Sequence, residues 1–176
     1  MSHRIKQPAP QPAPPADWVP VCPFPSPTAP NSFVSGEQAA DRTRVAYFRK
    51  PASDHLFACV WFGPASEGPP ENVHGGAIAA VLDEAMGAVC WMNGHPVVGA
   101  RITINYTHLT PLGFTGRAES WIESIERRKI FVKSRLTDED GKVHAEGDAL
   151  FIKLSPELTD SLGEARKRRD RTRSQQ

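Results

Sequence analysis

The chain has little cysteine and no surplus of charge: three Cys in 176 residues, and 21 Lys and Arg against 20 Asp and Glu. The near balance removes any electrostatic reason to expect nucleic acid or a membrane as partner. Cys22, Cys59 and Cys90 are odd in number and far apart. That spacing fits reduced core or surface thiols and argues against a disulfide framework or a zinc ligand set. No Gly-rich loop has the spacing of a nucleotide cradle, and no His/Cys/Asp spacing suggests a metal site. No apolar run is expected to reach across a bilayer. Met1 to Lys6 leads into proline instead of an apolar stretch, so no secretory pattern is read and a soluble cytoplasmic protein is the default. The length suits one domain plus tails, with enough chain to bury a core.

Proline is plentiful. Ten of the 17 fall between Pro8 and Pro30, a density that excludes helix or central strand and implies an extended or disordered arm over residues 1–40. Trp18, Val19, Val21 and Phe24 interrupt it and are candidates to dock on the folded body. A ligand for a proline-recognising partner is the functional alternative. Past Pro156, residues 157–176 are polar and end in Arg166-Lys-Arg-Arg-Asp-Arg-Thr-Arg173, read as a solvated basic tail.

Between these tails, residues 41–156 form the domain. Strand signals cover Thr43–Lys50 and His55–Phe62, the second apolar on both faces as in a strand covered from both sides. A proline-containing loop from Gly63 to Glu71 follows. After a helix come four strand-like runs, Val97–Leu109, Phe114–Glu126, Lys129–Thr137 and Lys142–Leu154. The pattern predicts an α+β fold with one helix for one curved antiparallel sheet, whose open face or edge invites a second subunit.

The helix is the stretch from Asn72 through Gly87, running on to Asn93. Ala77, Ile78, Val81, Leu82, Ala85, Met86 and Val89 recur at helical spacing. Gly75 and Gly76 are poor helix formers in its first turn, and Asp83 and Glu84 sit among apolar neighbours, where a carboxylate is costly unless paired or wet. A helix that opens with glycines exposes unpaired N–H groups with the positive dipole end behind them. Such a mouth can hold the oxygen of a polarised carbonyl. The plainer alternative, close packing of helix on strand, accounts for the glycines but not for the acid.

His74-Gly-Gly-Ala-Ile-Ala-Ala-Val-Leu-Asp-Glu-Ala-Met-Gly87 resembles the helix signature of PaaI-like hotdog-fold acyl-CoA thioesterases. Ile102-Thr-Ile-Asn-Tyr-Thr-His-Leu-Thr-Pro111, Glu126–Val132 and Ala149–Leu154 are similar to later strands of that family, in the family's order. Asn31–Gly36 looks like a worn version of a cysteine-containing segment in some relatives. The resemblance covers roughly residues 43–154 and implies a hotdog fold, hydrolysis of an acyl thioester linked to coenzyme A, and a homodimer or dimer of dimers. It implies no cofactor beyond the coenzyme A of the substrate. It makes Gly75 the oxyanion-hole amide and Asp83 the catalytic carboxylate, acting as general base or as nucleophile. His74 at the helix mouth takes a structural or orienting role, beside Gly76. Two positions depart from the pattern: Gly68 stands where many relatives have asparagine, and Gly99 where several have serine or threonine.

The residues add a constraint of their own. Gly75 and Asp83 lie eight apart on one helix, so about 12 Å separates them along its axis, too far to share one carbonyl. If both act, Gly75 of one subunit meets Asp83 of another across a two-fold axis. Glu84 is the alternative acid, or a paired structural residue with an arginine as the expected partner. Met86, with Val89 and Cys90, is expected along the acyl chain, and Arg127, Arg128 and Lys129, with Arg117 nearby, against the coenzyme phosphates. His95 reads as a helix-end residue and His108 as a packed strand histidine. A hotdog hydratase and a non-catalytic acyl-CoA-binding protein are the rival functions.

Overall fold

The computed structural model describes residues 13–24, 32–35 and 41–173. The rest of the expected arm and the last three residues lie outside the described residues, as do Asn31 and Gly36 of the worn segment.

One seven-stranded antiparallel sheet, in the order β1-β2-β3-β5-β6-β7-β4, curves around a single long helix. The strands are β1 (Val19–Pro20), β2 (Thr43–Arg49), β3 (Leu56–Phe62), β4 (Val97–Tyr106), β5 (Thr115–Glu126), β6 (Lys129–Thr137) and β7 (Val143–Lys153), and the helix is α1 (Gly75–Met92). Every residue of β3 is buried, and its two faces explain why. Leu56, Ala58, Val60 and Phe62 join Ile78, Val81, Leu82, Met86 and Val89 of α1 in the main core. Phe57 and Cys59 turn the other way and are covered by Phe48 and by Trp18 from the arm, whose ring lies 4.8 Å from that of Phe57.

The arm is thus tacked down at both of its described pieces. β1 pairs with β2, a place a proline tolerates because an edge strand need not donate outward. Val21, Phe24 and Val34 pack against the α1 side of the sheet.

By length and composition α1 is sufficient to cross a membrane, contrary to the expectation that no run reaches that length. Its apolar side chains instead fill the core. The helix starts at Gly75 with His74 as its cap, three residues later than the start read at Asn72.

The basic tail is also not a bare tail. Pro156–Arg173 forms a second helix, α2. The overlooked start signal is Ser155-Pro156-Glu157: the Leu158 N–H donates to Ser155 Oγ at 3.3 Å, proline suits the first helical turn, and the acid faces the positive dipole end while arginines follow toward the other.

The opposite edge of the sheet is β4, paired only with β7. Val98, Ile102 and Tyr106 along it are 49%, 40% and 52% exposed, so a strand written with an apolar face leaves that face largely uncovered in the single chain.

Candidate active site

The loop before α1 is clamped from two sides. The His74 N–H donates to Ser66 O at 2.7 Å, and the Val73 N–H donates to Thr110 O at 2.8 Å. Gly68 lies so close to the chain that a Cβ on it would stand 2.7 Å from the His74 Cα. Glycine is required there by contact, and the asparagine of the resembled family would need the backbone to move.

His74 caps the helix through its ring: Nδ1 accepts the Gly76 N–H at 2.8 Å, so a neutral ring carries its proton on Nε2. The Ala77 and Ile78 N–H groups both turn to the His74 carbonyl, at 2.9 and 3.4 Å. Of the first-turn amides, Gly75 alone has no acceptor among the described residues. Gly76 is therefore occupied by the cap, and Gly75 offers the open N–H at the positive end of an 18-residue helix. The glycine at 75 has its own reason. A Cβ there would meet the Tyr106 ring at 3.2 Å, and the Tyr106 hydroxyl donates to the Gly75 carbonyl at 2.8 Å. Spacing does not single out Tyr106; only the register of β4 on β7 brings it to the helix mouth.

Asp83 lies on the exposed side of α1, two turns on. Although one side of its carboxylate is open, its pKa is raised above the ordinary aspartate value, first by partial burial and then by the neighbouring charge of Glu84. Oδ1 stands 4.0 Å from where a Cβ on Gly99 would be, so Asp83 faces β4 at the bulge between Gly99 and Arg101.

Glu84 points the other way. It accepts hydroxyls from Tyr47 of β2 and from Ser32 of the arm, each at 2.9 Å. The arginine partner expected from sequence is replaced by these two hydroxyls, and both carboxylate oxygens are engaged. Burial, followed by the Glu84 charge, holds the Tyr47 phenol well above its usual pKa, so it remains a donor. Asp83 is the acid left free to act.

Met86, Val89 and Cys90 have no exposed surface. Met86 packs against Gly147 of β7, where an added Cβ would sit 3.1 Å from the Met86 Cε. These three belong to the core between helix and sheet in the single chain. Burial pushes the Cys90 thiol up to about 12, which removes it as a nucleophile. The accessible surface of α1 is instead the strip of Gly76, Ala80, Asp83 and Gly87, which follow one another around one face at helical spacing.

Arg127, Arg128 and Lys129 form the exposed turn between β5 and β6. Arg128 donates to Lys153 O at 3.1 and 3.3 Å. Lys153 pairs with Val97 at the start of β4, whereas Tyr106 ends it. The basic turn thus sits at the opposite end of the domain from its own Gly75. Arg117 is separate from it, stacked 5.8 Å over Trp18 on the face away from α1. His108 lies past the end of β4, exposed, with Nδ1 2.8 Å from Val143 O, and is not the packed strand residue its alternation suggests. His95 follows the helix end; burial, then the Lys153 charge, lowers its pKa. No group of three or more potential metal ligands occurs among the described residues.

A single helix gripped by a curved antiparallel sheet, with an open amide at its mouth and a free acid two turns on, defines a hotdog-fold domain. Residues 71–145 match the family model described as Thioesterase superfamily. The chain is 40% identical over 95 residues to the acyl-coenzyme A thioesterase THEM4 of Xenopus laevis, covering 53% of this chain and 43% of that relative. It spans less than half the length of the curated relatives it matches. Among solved structures, the PaaI protein of E. coli aligns with a TM-score of 0.57 at 13% identity, over 64% of this chain and 80% of that one. A hypothetical thioesterase of Streptococcus pneumoniae TIGR4 with coenzyme A aligns with a TM-score of 0.58 at 17% identity, over 65% of this chain and 87% of that one. The likeness to these two structures is one of fold, the hotdog fold.

Proposed function

We propose that the chain is an acyl-CoA thioesterase whose active sites form across a homodimer. The observation that carries the proposal is the pairing of one open helix-mouth amide, Gly75, with one unengaged carboxylate, Asp83, on a helix whose length keeps them apart. The name of the THEM4 relative and the coenzyme A held by the pneumococcal structure point to the same substrate class.

A second copy added along β4 satisfies three features at once. It pairs the unpaired backbone of that edge, covers Val98, Ile102 and Tyr106, and sets the two α1 helices antiparallel with their small-residue strips facing. Gly75 of one subunit then approaches Asp83 of the partner subunit. The basic turn 127–129 lies at the Asp83 end of its own domain, so it meets the coenzyme phosphates of a substrate whose carbonyl rests on the other subunit's Gly75. Two such dimers can associate further into a dimer of dimers.

In this arrangement the thioester oxygen accepts the Gly75 N–H. Asp83 takes a proton from water as the water oxygen bonds to the carbonyl carbon, and the charge that develops on oxygen is stabilised by the fixed amide and the helix dipole behind it. The C–S bond then breaks, and the proton held by Asp83 passes to the leaving thiolate. Direct attack by Asp83, through a mixed anhydride that water cleaves, uses the same geometry. The reaction uses no cofactor beyond the coenzyme A of the substrate.

A second reading, an acyl-CoA-binding protein without turnover, is favoured by one observation: Gly99 puts no hydroxyl beside Asp83 to hold a water. Thiol release from short, long and aromatic acyl-CoAs separates the two. Turnover that disappears in Asp83→Asn, with the assembly intact, supports the enzyme. Stoichiometric binding with no turnover in the wild type supports the binder.

A further inference from the structure

A polar chain runs from the β6–β7 hairpin, where it is partly exposed, inward to the loop that delivers Gly75. Asp138 Oδ1 accepts the N–H groups of Lys142 at 2.8 Å and Asp140 at 3.1 Å, leaving Oδ2 to face His144 Nε2 at 3.3 Å. His144 Nδ1 lies 3.2 Å from Thr110 Oγ1. His144 and Thr110 are 5% and 2% exposed, and the Phe114 ring stands edge-on to the imidazole at 4.7 Å. The Lys142 amide leads the contacts that hold the Asp138 carboxyl below its ordinary range, so it accepts and does not donate. A neutral His144 then carries its proton on Nε2 and receives the Thr110 hydroxyl on Nδ1.

Thr110 is where this chain meets the site. Its carbonyl accepts the Val73 N–H, and two residues on, the Leu112 N–H donates to Glu71 O at 3.0 Å. Asn72 and Pro111 form a bridge between these two bonds. Residues 110–112 are therefore a short strand pinned to 71–73, and His74 and Gly75 follow at once. Ordinary core histidines are buried and bonded too; among the described residues, this one makes the side-chain hydrogen bond that anchors residues 110–112.

We propose that His144, relayed by Thr110 and anchored by Asp138, is a positioning residue that fixes the Gly75 amide at the height the thioester oxygen requires. The inference rests on the thioesterase reading of Gly75, and its test reports on the amide whether or not that reading holds.

The experiment compares wild type with Thr110→Val, which keeps the shape and removes the hydroxyl; Thr110→Ser, which restores it; and Asp138→Asn at the outer end. Each is followed by acyl-CoA turnover and by the Gly75 amide resonance in a 15N–1H spectrum. Thr110→Val is expected to lower kcat roughly tenfold with KM within about twofold, since small misplacements act on the transition state more than on binding. The Gly75 resonance should shift. Asp138→Asn should do the same to a smaller extent, and Thr110→Ser should recover both readouts. If the wild type has no turnover, the thioesterase reading fails, and the resonance alone decides the relay. An unmoved Gly75 resonance in folded Thr110→Val and Asp138→Asn overturns it. So does a loss shared equally by Thr110→Val and Thr110→Ser, which would mark a packing defect.

Discussion

Asp83 Oδ1 stands 4.0 Å from the point at which a side chain on Gly99 would begin, with the Phe151 ring 3.6 Å from that point. The space holds a small side chain without a clash, and a hydroxyl placed there would reach the carboxylate or a water bound to it. Gly99→Ser is expected to raise kcat/KM about tenfold, the worth of one hydrogen bond to a charged group in the transition state. Steady-state kinetics on an acyl-CoA accepted by the wild type checks it. An unchanged or lower value would mean that water is held from elsewhere.

Gly75 faces the reverse situation. A methyl group there would sit 3.2 Å from the Tyr106 ring, so the ring or the helix mouth has to shift and the open amide moves with it. Gly75→Ala is expected to lower kcat by roughly a hundredfold or more, the scale of losing one oxyanion donor, while the melting temperature changes little because alanine is the better helix former. Kinetics together with a thermal melt separates the two effects.

The acidic limb of the activity profile should follow Asp83. Its pKa is raised by burial and by the Glu84 charge, so removing that charge makes ionisation easier. In Glu84→Gln the limb of kcat/KM is expected to move to lower pH, provided Tyr47 and Ser32 keep the amide in place. Stability has a matching sign. A carboxylate whose folded pKa is raised costs nothing while protonated in both states, and its penalty grows as pH climbs from the unfolded value through the folded one. Asp83→Asn should therefore melt higher than wild type at neutral pH and lose that advantage in acid.

Trp18 carries the outer face of the sheet. It closes over Phe48, Phe57 and Cys59, and Trp18→Ala is expected to cost about 3 kcal/mol and to free β1 from β2. Denaturant unfolding gives the cost, and proteolysis of the arm reports the release.

The legible part of this molecule is its local pattern. Alternation marks the strands of the domain, and the 3.6-residue period marks α1, because each is written within one element. The acid beside Gly99 and the open Gly75 amide follow from family likeness and helix arithmetic. What escapes is built by distant chain segments. Ser32 is 52 residues from the Glu84 it bonds, Tyr106 is 31 from Gly75, and Thr110 is 34 from His144; no spacing rule joins them. What covers Met86 is not legible for a related reason. Helical periodicity marks the apolar side of a helix without telling whether a sheet or a ligand covers it. The α2 helix is hidden by its charge, which suggests a solvated tail although Ser155-Pro156-Glu157 carries the start signal.

The central claim is that Gly75 and Asp83 act together from different subunits, and subunit mixing tests it most directly. Gly75→Ala and Asp83→Asn, each nearly inactive alone, are mixed in equal amounts under conditions that let subunits exchange. Half of the dimers then carry one of each chain, and each mixed dimer has one site with both groups intact, so about a quarter of wild-type activity should return. No recovery, with mixed dimers demonstrated by mass, would contradict the shared site and place both groups' function within a single chain.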